Sequence, residues 1–483
     1  MNTPAFLTCP VTACPEDLRR LAYADPQAFP VLFDSAAIGP LGRYSILAAY
    51  PDAALWQDGQ GQLTGFGLGS AAQGRGFLDA LDELWRASAT APEEAAPAPS
   101  AAPHAAPGPF HGGWVAYLGY ELAAEVEPQL ALPTLIAGTA PRAFALRVPA
   151  ALIYDHDTCT AWSLVETGRE ALHQRLAHDL AVVAPGPAAA DLAPLLGALE
   201  LEEEDPQRFG ACVGAALEHI RAGDIYQANL SRGWRAALNR GTLQGCAGLG
   251  LDRAGAALYE RLRALNPAPF AALAQFQGWR ALCSSPERLV RVSGRRVETR
   301  PIAGTRPRSR IAGADRRELD ALITHPKERA EHIMLVDLER NDLGRICRPG
   351  SVRADELMIT ESYAHVHHIV SNVCGELNPG QTPVDVLRAV FPGGSITGCP
   401  KFRCMQIIAA LEGEARGAYT GALGFINRDG SMDFNILIRT ITMDSDGLEF
   451  RAGAGIVADS DWRLELQETR AKARGLIAAL QHP

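Results

Sequence analysis

The chain has 483 residues, 47% of them hydrophobic and 21% charged, with a net charge of −10. That size and composition supply ample core for about two globular domains and exclude a disordered or fibrous class. The acidic balance, without a basic run, argues against nucleic acid or an anionic membrane as the main partner and still allows an anionic ligand in a local pocket.

The opening run MNTPAFLTCPVTACPEDL lacks the basic start and apolar stretch of a signal peptide, and no later run approaches a membrane span, so a cytoplasmic location is expected. The ten cysteines include no C-x-x-C pair and read as reduced thiols. Residues 1 to about 85 alternate short apolar runs with turn signals, which predicts strands followed by a helix near 76–86. Residues 87–109, almost wholly Ala, Pro, Ser and Glu, are too poor in large apolar groups to fold and read as a mobile insertion. Structure resumes at His111 and runs to about Val183; a second Ala/Pro stretch at 184–194 and an acidic run to Asp205 place a boundary near 185–205. The chain thus divides into domains at 1–195 and 205–478.

The second half alternates hairpins with amphipathic helices. Two runs between Glu287 and Ile302 meet at Ser293-Gly294, and three runs between Tyr419 and Val457 meet at Arg428-Asp429-Gly430 and at 444–447. Such short connections mean antiparallel pairing, so the fold class is α+β rather than a Rossmann or barrel order. Helices are predicted at about 206–222, 315–344, 383–390, 400–411 and 461–480.

Lysine is nearly absent: of 45 basic residues only Lys327, Lys401 and Lys472 are lysines. Lysine is a compact point charge on a flexible stem, so the places that keep it are candidates for sites where arginine will not serve. Lys472 lies in RAGAGIVADSDWRLELQETRAK, where a glycine-tipped strand with Gly453 and Gly455 turns through Asp459, Ser460 and Asp461 into a helix. Glu465, Glu468 and Lys472 share one helical face. Two carboxylates and an ammonium beside bare backbone suit a small polyanion held through a divalent metal, while a solvated helix with a Glu468–Lys472 pair is the other reading.

In HPKERAEHIMLVDLERND, Glu328 and Glu331 form a second carboxylate pair, and four carboxylates from two helices make a candidate magnesium cradle. In ESYAHVHHIVSNV, a strand by its alternation, His368 shares a face with Val366 and Val370 while His365 and His367 point oppositely. FPGGSITGCPK combines a Gly-Gly turn, two hydroxyls and a helix start after Pro400, a loop able to offer donors to a carboxylate but without P-loop spacing. RPIAGTRPR again places glycine and threonine at a strand end among arginines.

GDIYQANLSR, SSPERLV, RPIAGTRPR, KERAEHIMLVDLERNDLGR, HIVSN, FPGGSITGCPK and GAGIVADSD followed by Glu465, Glu468 and Lys472 stand in the order found in chorismate-utilising enzymes, and the chain resembles that family over about 205–478. The first half is similar to the family's variable N-terminal domain, and the resemblance implies antiparallel sheets in an α/β sandwich with covering helices. It implies Glu331 and Glu468 as direct magnesium ligands, with Glu328 and Glu465 supporting through water, and the metal on the ring carboxylate of chorismate. It implies Glu287 as a general acid for the departing ring hydroxyl and His368 beside the leaving or enolpyruvyl group. Tyr419, Arg439, Gly453, Gly455 and Lys472 would bind the two carboxylates, with Gly304, Thr305 and Ser395 in the pocket loops.

Position 227 separates the family's branches. Members that add water carry a lysine base there; this chain has Gln227, so the resemblance implies an aminating enzyme that receives ammonia from a separate glutamine amidotransferase subunit. FPGGSITG and VLFDSA…GRYSIL resemble component I of aminodeoxychorismate synthase, in the 4-aminobenzoate and folate branch; RPIAGT resembles component I of anthranilate synthase. The para branch is the first reading, the ortho branch the alternative, with an isochorismate synthase or an inactive binding homologue behind both. Ala303 stands where many aminodeoxychorismate synthases have a lysine proposed to attack the ring, which implies amination without that covalent adduct.

Overall fold

The computed structural model describes residues 5–37, 39, 41–68, 76–90, 108–135, 140–183, 186, 199–238, 251–307, 312–324, 326–362 and 366–481. Most of the insertion expected at 87–109 and of the Ala/Pro stretch at 184–194 lies outside these residues. No described helix is long and apolar enough to cross a membrane, and the nine described cysteines are all free.

Two large antiparallel sheets form the framework. In the first, the spatial order is Phe6–Val11, Thr160–Glu166, Ala150–Asp155, Tyr44–Ala49, Val31–Asp34, Phe270–Phe276, Trp279–Ser285, Thr440–Met443, Gly447–Ile456, Gln227–Ala237 and Glu202–Glu203. In the second it is Ile302–Pro307, Val366–Glu376, Arg296–Thr299, Arg288–Ser293, Met432–Ile436, Ala422–Asn427, Gly113–Leu118, Ala143–Val148, Ala53–Gln57 and Leu63–Phe66. Both sheets mix strands from before and after the acidic run at 200–205, so that point in the sequence does not separate two sheets.

The strands alternate between two apolar faces because each sheet is covered on both sides. Along Tyr44–Ala49, Ile46 and Ala48 enter the core between the sheets, while Leu47 and Ala49 join a cluster beneath the outer helices. Gly113–Leu118 does the same in the second sheet, with Val115 and Tyr117 inward and Trp114, Ala116 and Leu118 outward. At the centre the Trp279 ring lies 4.7 Å from Tyr117, and Phe144 is 4.7 Å from Phe276. The layers are therefore helix, sheet, sheet, helix, an α+β sandwich.

Local chemistry explains the helix ends. Asp205 caps Pro206–Arg221 by accepting from the Gln207 amide at 2.9 Å, and Thr382 and Asp385 form a capping box on Pro383–Val390. Lys401–Glu412 starts after Pro400 and stops at Gly413, which is left-handed at φ 64. The single helix expected at 315–344 is two, Ala312–Thr324 and Pro326–Gly344. Pro326 has no amide hydrogen and crowds the preceding turn, so it opens a helix instead of continuing one.

The three runs expected between Tyr419 and Val457 are four strands. The middle run breaks after Ile436 and resumes at Thr440 in the other sheet. Arg439, with φ 51, absorbs the change of direction. A second crossover runs beside it, because Trp279–Ser285 belongs to the first sheet and Arg288–Ser293 to the second. The two crossings hold each other: the Ile436 amide donates to Glu287 O at 3.0 Å and the Ser284 amide to Arg439 O at 3.1 Å.

Candidate active site

Glu287 and Arg439 occupy those adjacent crossings, where the chain leaves one sheet for the other and side chains can gather between elements. Glu287 is buried, and the Ser395 hydroxyl donates to its Oε1 at 2.6 Å. Burial raises its carboxyl from 4.5 to about 7, against the Ser395 hydrogen bond and the charges of Lys472 and Arg439. A carboxyl poised there can hold a proton at neutral pH and release it. Burial likewise pushes the Arg439 guanidinium down, with Glu287 pulling the other way.

The Trp462–Leu480 helix delivers the cation. Asp461 starts it by accepting from the Arg463 amide at 2.9 Å and the Leu464 amide at 3.2 Å. Three turns in, Lys472 Nζ donates to Gly453 O at 2.9 Å and pairs with Glu468 at 2.8 Å. The clearance left by the two strand glycines is used by the protein's own side chains. A Cβ on Gly453 would lie 2.5 Å from Tyr419 Oη and 2.7 Å from Leu230 O, and one on Gly455 would run into the Gln227 amide. The Tyr419 phenol is buried, which raises its pKa, and the Arg416 guanidinium sits 5.6 Å from its ring centre. Gln227 is buried too, and its Oε1 has no hydrogen-bond partner among the described residues.

Gly453→Ala should therefore destabilise the fold by about 1–3 kcal/mol, the usual cost of overpacking. Urea unfolding measures this, and an unchanged midpoint would show that Tyr419 and the strand yield freely.

His368 comes from Val366–Glu376, paired through Thr305 to the strand Ile302–Pro307. Burial and the Arg439 charge push its imidazole down to about 4, despite a hydrogen bond with the Gly304 backbone. It is a neutral ring at physiological pH. His367, on the opposite face, is within 3.1 Å of Asp315 Oδ1. Gly304 is left-handed at φ 66, and a Cβ there would strike the Glu328 carboxylate and Leu322 Cδ1. The Thr305 side chain lies outside the description. Glu331 is half-buried, Glu465 buried, and Glu468 half-exposed beside Lys472.

The structure therefore links Glu287, Ser395, Arg439, His368, Lys472, Glu468, Gly453 and Tyr419 in one set, with Gln227 beside Gly455 and Glu328 beside Gly304. Among the described residues, no three His, Cys, Asp or Glu side chains come together closely enough to hold a metal by themselves. Glu328, Glu331, Glu465 and Glu468 are carboxylates, the donor type that magnesium takes, and the Glu328 carboxylate lies where a Cβ on Gly304 would strike it.

Glu339, Asp342 and Lys401 were not singled out together from the sequence. Lys401 Nζ bonds to Asp342, and both acids are buried. The available signal was the spacing: 335, 338, 339, 342 and 343 make one apolar helical stripe in which two positions are acidic.

The family model described as chorismate binding enzyme matches residues 51–478. The chain is 41% identical over 379 residues to an anthranilate synthase component I-like protein of Synechocystis sp., covering 77% of this chain and 73% of that one. It is 38% identical over 381 residues to an aminodeoxychorismate synthase component 1 of Bacillus subtilis, covering 77% of each. The crystal structure of anthranilate synthase component I from Streptococcus pneumoniae superposes with a TM-score of 0.74 at 31% identity, covering 90% of this chain and 92% of that one. With an ordered set of motifs, a sandwich of the same shape and a buried acid set among cations, the chain belongs to the chorismate binding enzyme family.

Proposed function

We propose that the protein is component I of an aminodeoxychorismate synthase, which replaces the ring hydroxyl of chorismate with ammonia to give 4-amino-4-deoxychorismate. The observation that carries this reading is the Ser395–Glu287 hydrogen bond at 2.6 Å. It joins the serine of FPGGSITG, the stretch on which the para branch rests, to the carboxyl that this reading assigns to the departing hydroxyl.

In this mechanism Arg439, Lys472 and Tyr419 bind the substrate carboxylates. Glu287 gives its proton to the departing hydroxyl, which leaves as water while the new C–N bond forms. The ammonium so attached loses a proton, and Glu287 regains one. Neutral His368 offers a hydrogen bond near the leaving or enolpyruvyl group without adding charge. Gln227 cannot act as a base toward water at any ordinary pH, and ammonia needs none. Magnesium held by Glu331 and Glu468, with Glu328 and Glu465 supporting through water, would supply a counter-charge for the ring carboxylate.

A second reading has a specific basis: RPIAGT and relatives named anthranilate synthase component 1, such as one from Streptomyces coelicolor at 41% identity, favour ortho amination with loss of pyruvate. Incubating the purified chain with chorismate, magnesium and ammonium separates the two. A non-aromatic amine that yields 4-aminobenzoate only when a lyase is added supports the para reading; stoichiometric anthranilate and pyruvate overturn it.

The same preparation tests the ammonia source. Turnover is expected with ammonium salts and not with glutamine until a glutamine amidotransferase subunit is added. Glutamine hydrolysis by this chain alone would contradict a separate partner.

A further inference from the structure

Arg416 is closed in beside Tyr419, with only 3% of its surface exposed. A cation taken out of water is costly unless its donors are satisfied. Here all five N–H groups of the guanidinium find acceptors. Nε and Nη2 donate to the Glu412 carboxylate at 2.9 and 2.7 Å, Nη2 also to Asn229 O at 2.6 Å, and Nη1 to Ile396 O at 3.2 Å and Thr420 Oγ1 at 3.4 Å. Pairing with Glu412 uses only two of these bonds. The other three reach the strand Gln227–Ala237, the turn that carries Ser395, and the residue that follows Tyr419.

We infer that Arg416 is a positioning residue for Tyr419, fixing where the phenol stands against a substrate carboxylate. The inference rests on the reading of Tyr419 as a carboxylate binder and concerns a residue that acts through it. The Tyr419 amide donates to Arg416 O at 3.0 Å, and the guanidinium lies 5.6 Å from the ring centre, within reach of a cation–π contact. Thr420 is β-branched yet left-handed at φ 64, a conformation that persists only where the surroundings enforce it. The Arg416 bond to its Oγ1 and the bond from its amide to Leu437 O at 2.8 Å are enforcing contacts. Tyr419 is therefore held from Arg416 on one side and from Thr420 on the other.

The backbone at Arg416 is gripped from the first half of the chain. Glu121, buried just after the strand Gly113–Leu118, accepts from the Arg416 amide at 2.6 Å and from the Gly417 amide at 3.1 Å, and the Tyr120 amide donates to Gly417 O at 2.8 Å. A lysine at 416 would keep a charge for Glu412, but it has three donors on one point and no planar fork. It cannot span Asn229 O, Ile396 O and Thr420 together. Ile396 O would keep a second donor, Asn229 Nδ2 at 3.1 Å. The turn that presents Ser395 to Glu287 stays held, and the loss falls on Tyr419.

The test is steady-state kinetics of the full chain with chorismate, saturating magnesium and ammonium. Arg416→Lys should raise KM for chorismate by about tenfold or more, the scale of weakening one hydrogen bond to a charged group, with kcat within a few-fold of wild type. The rise should shrink to about twofold or less when Tyr419→Phe is already present, because residues that act through one another are not additive. Glu121→Gln leaves the Arg416 side chain intact and sets an NH2 group against one of the two backbone N–H groups. It should raise KM in the same Tyr419-dependent way. An unmoved KM, a loss confined to kcat, or the same KM factor in the Tyr419→Phe background overturns the inference, since an arginine that only supports the fold would give one of these. If Arg416→Lys does not fold, Glu121→Gln with and without Tyr419→Phe decides by the same criteria. Wild-type KM in Tyr419→Phe alone would remove Tyr419 as a carboxylate binder and the role of Arg416 with it. A raised KM there beside an unmoved KM in Arg416→Lys removes only the role of Arg416.

Discussion

Glu287→Gln should lower kcat with chorismate and ammonium by about 10³-fold, within the range general acid catalysis contributes, and leave chorismate affinity within a few-fold. The amide keeps the shape and can still accept from Ser395, but it has no proton to give the leaving hydroxyl. The same substitution should stabilise the protein at alkaline pH, and the sign follows from linkage. The folded carboxyl titrates near 7 instead of 4.5, so between those values the native state holds more protons than the unfolded one, and stability falls as pH rises through that window. Each pH unit there costs about 1.4 kcal/mol, so above pH 7 the ionised acid weighs against the fold by on the order of 3 kcal/mol. Denaturant unfolding at about pH 5 and about pH 8.5 reads the difference directly. An inactive variant with a large alkaline gain in stability identifies a strained catalytic acid; wild-type turnover removes Glu287 from the chemistry.

The elements that follow local rules were legible in the sequence. Asp205, Thr382 and Asp461 announce their helices because a side-chain cap acts within three residues, and the hairpin at Gly294 follows from the turn it makes at φ 57. The two sheet crossings were not legible, since nothing within a few residues of Arg439 shows that Ile436 and Thr440 pair in different sheets. That choice is made by partners far away in sequence, Arg288–Ser293 and Trp279–Ser285. Yet the crossings are what bring Glu287 and Arg439 together. The acidic pair on the Pro326–Gly344 helix was passed over for a related reason: a carboxylate in a helix reads as solvated until the surface above it is known to be the turn at Gly394. The strand glycines were legible as points of close approach, but not what makes the approach. Absence of a side chain announces close approach, and here Tyr419 and Gln227 make the approach.

Chelation should abolish turnover, and Glu468→Gln should do the same with the fold intact. Among the described residues Glu468 makes an exposed i,i+4 pair with Lys472 at 2.8 Å, an interaction worth about 0.3–0.5 kcal/mol. Such a pair is readily exchanged for stronger partners. A divalent cation taking the Glu468 carboxylate would leave Lys472 anchored through Gly453 O, with its remaining ammonium protons directed to a substrate carboxylate. Metal and substrate would then strengthen each other's binding, because each removes the other's competitor, and this reciprocity is measurable apart from catalysis. Isothermal titration of magnesium into wild-type protein should show tighter binding in the presence of an unreactive cyclic dicarboxylate than without it, and in Glu468→Gln that enhancement should vanish. Lys472→Met should keep magnesium binding and raise KM for chorismate. Full activity of Glu468→Gln in chelator would overturn the metal assignment. Magnesium binding that is lost on replacing Glu331 but unaffected by Glu468→Gln would instead move the site onto the Pro326–Gly344 helix alone, leaving Glu468 as the surface partner of Lys472.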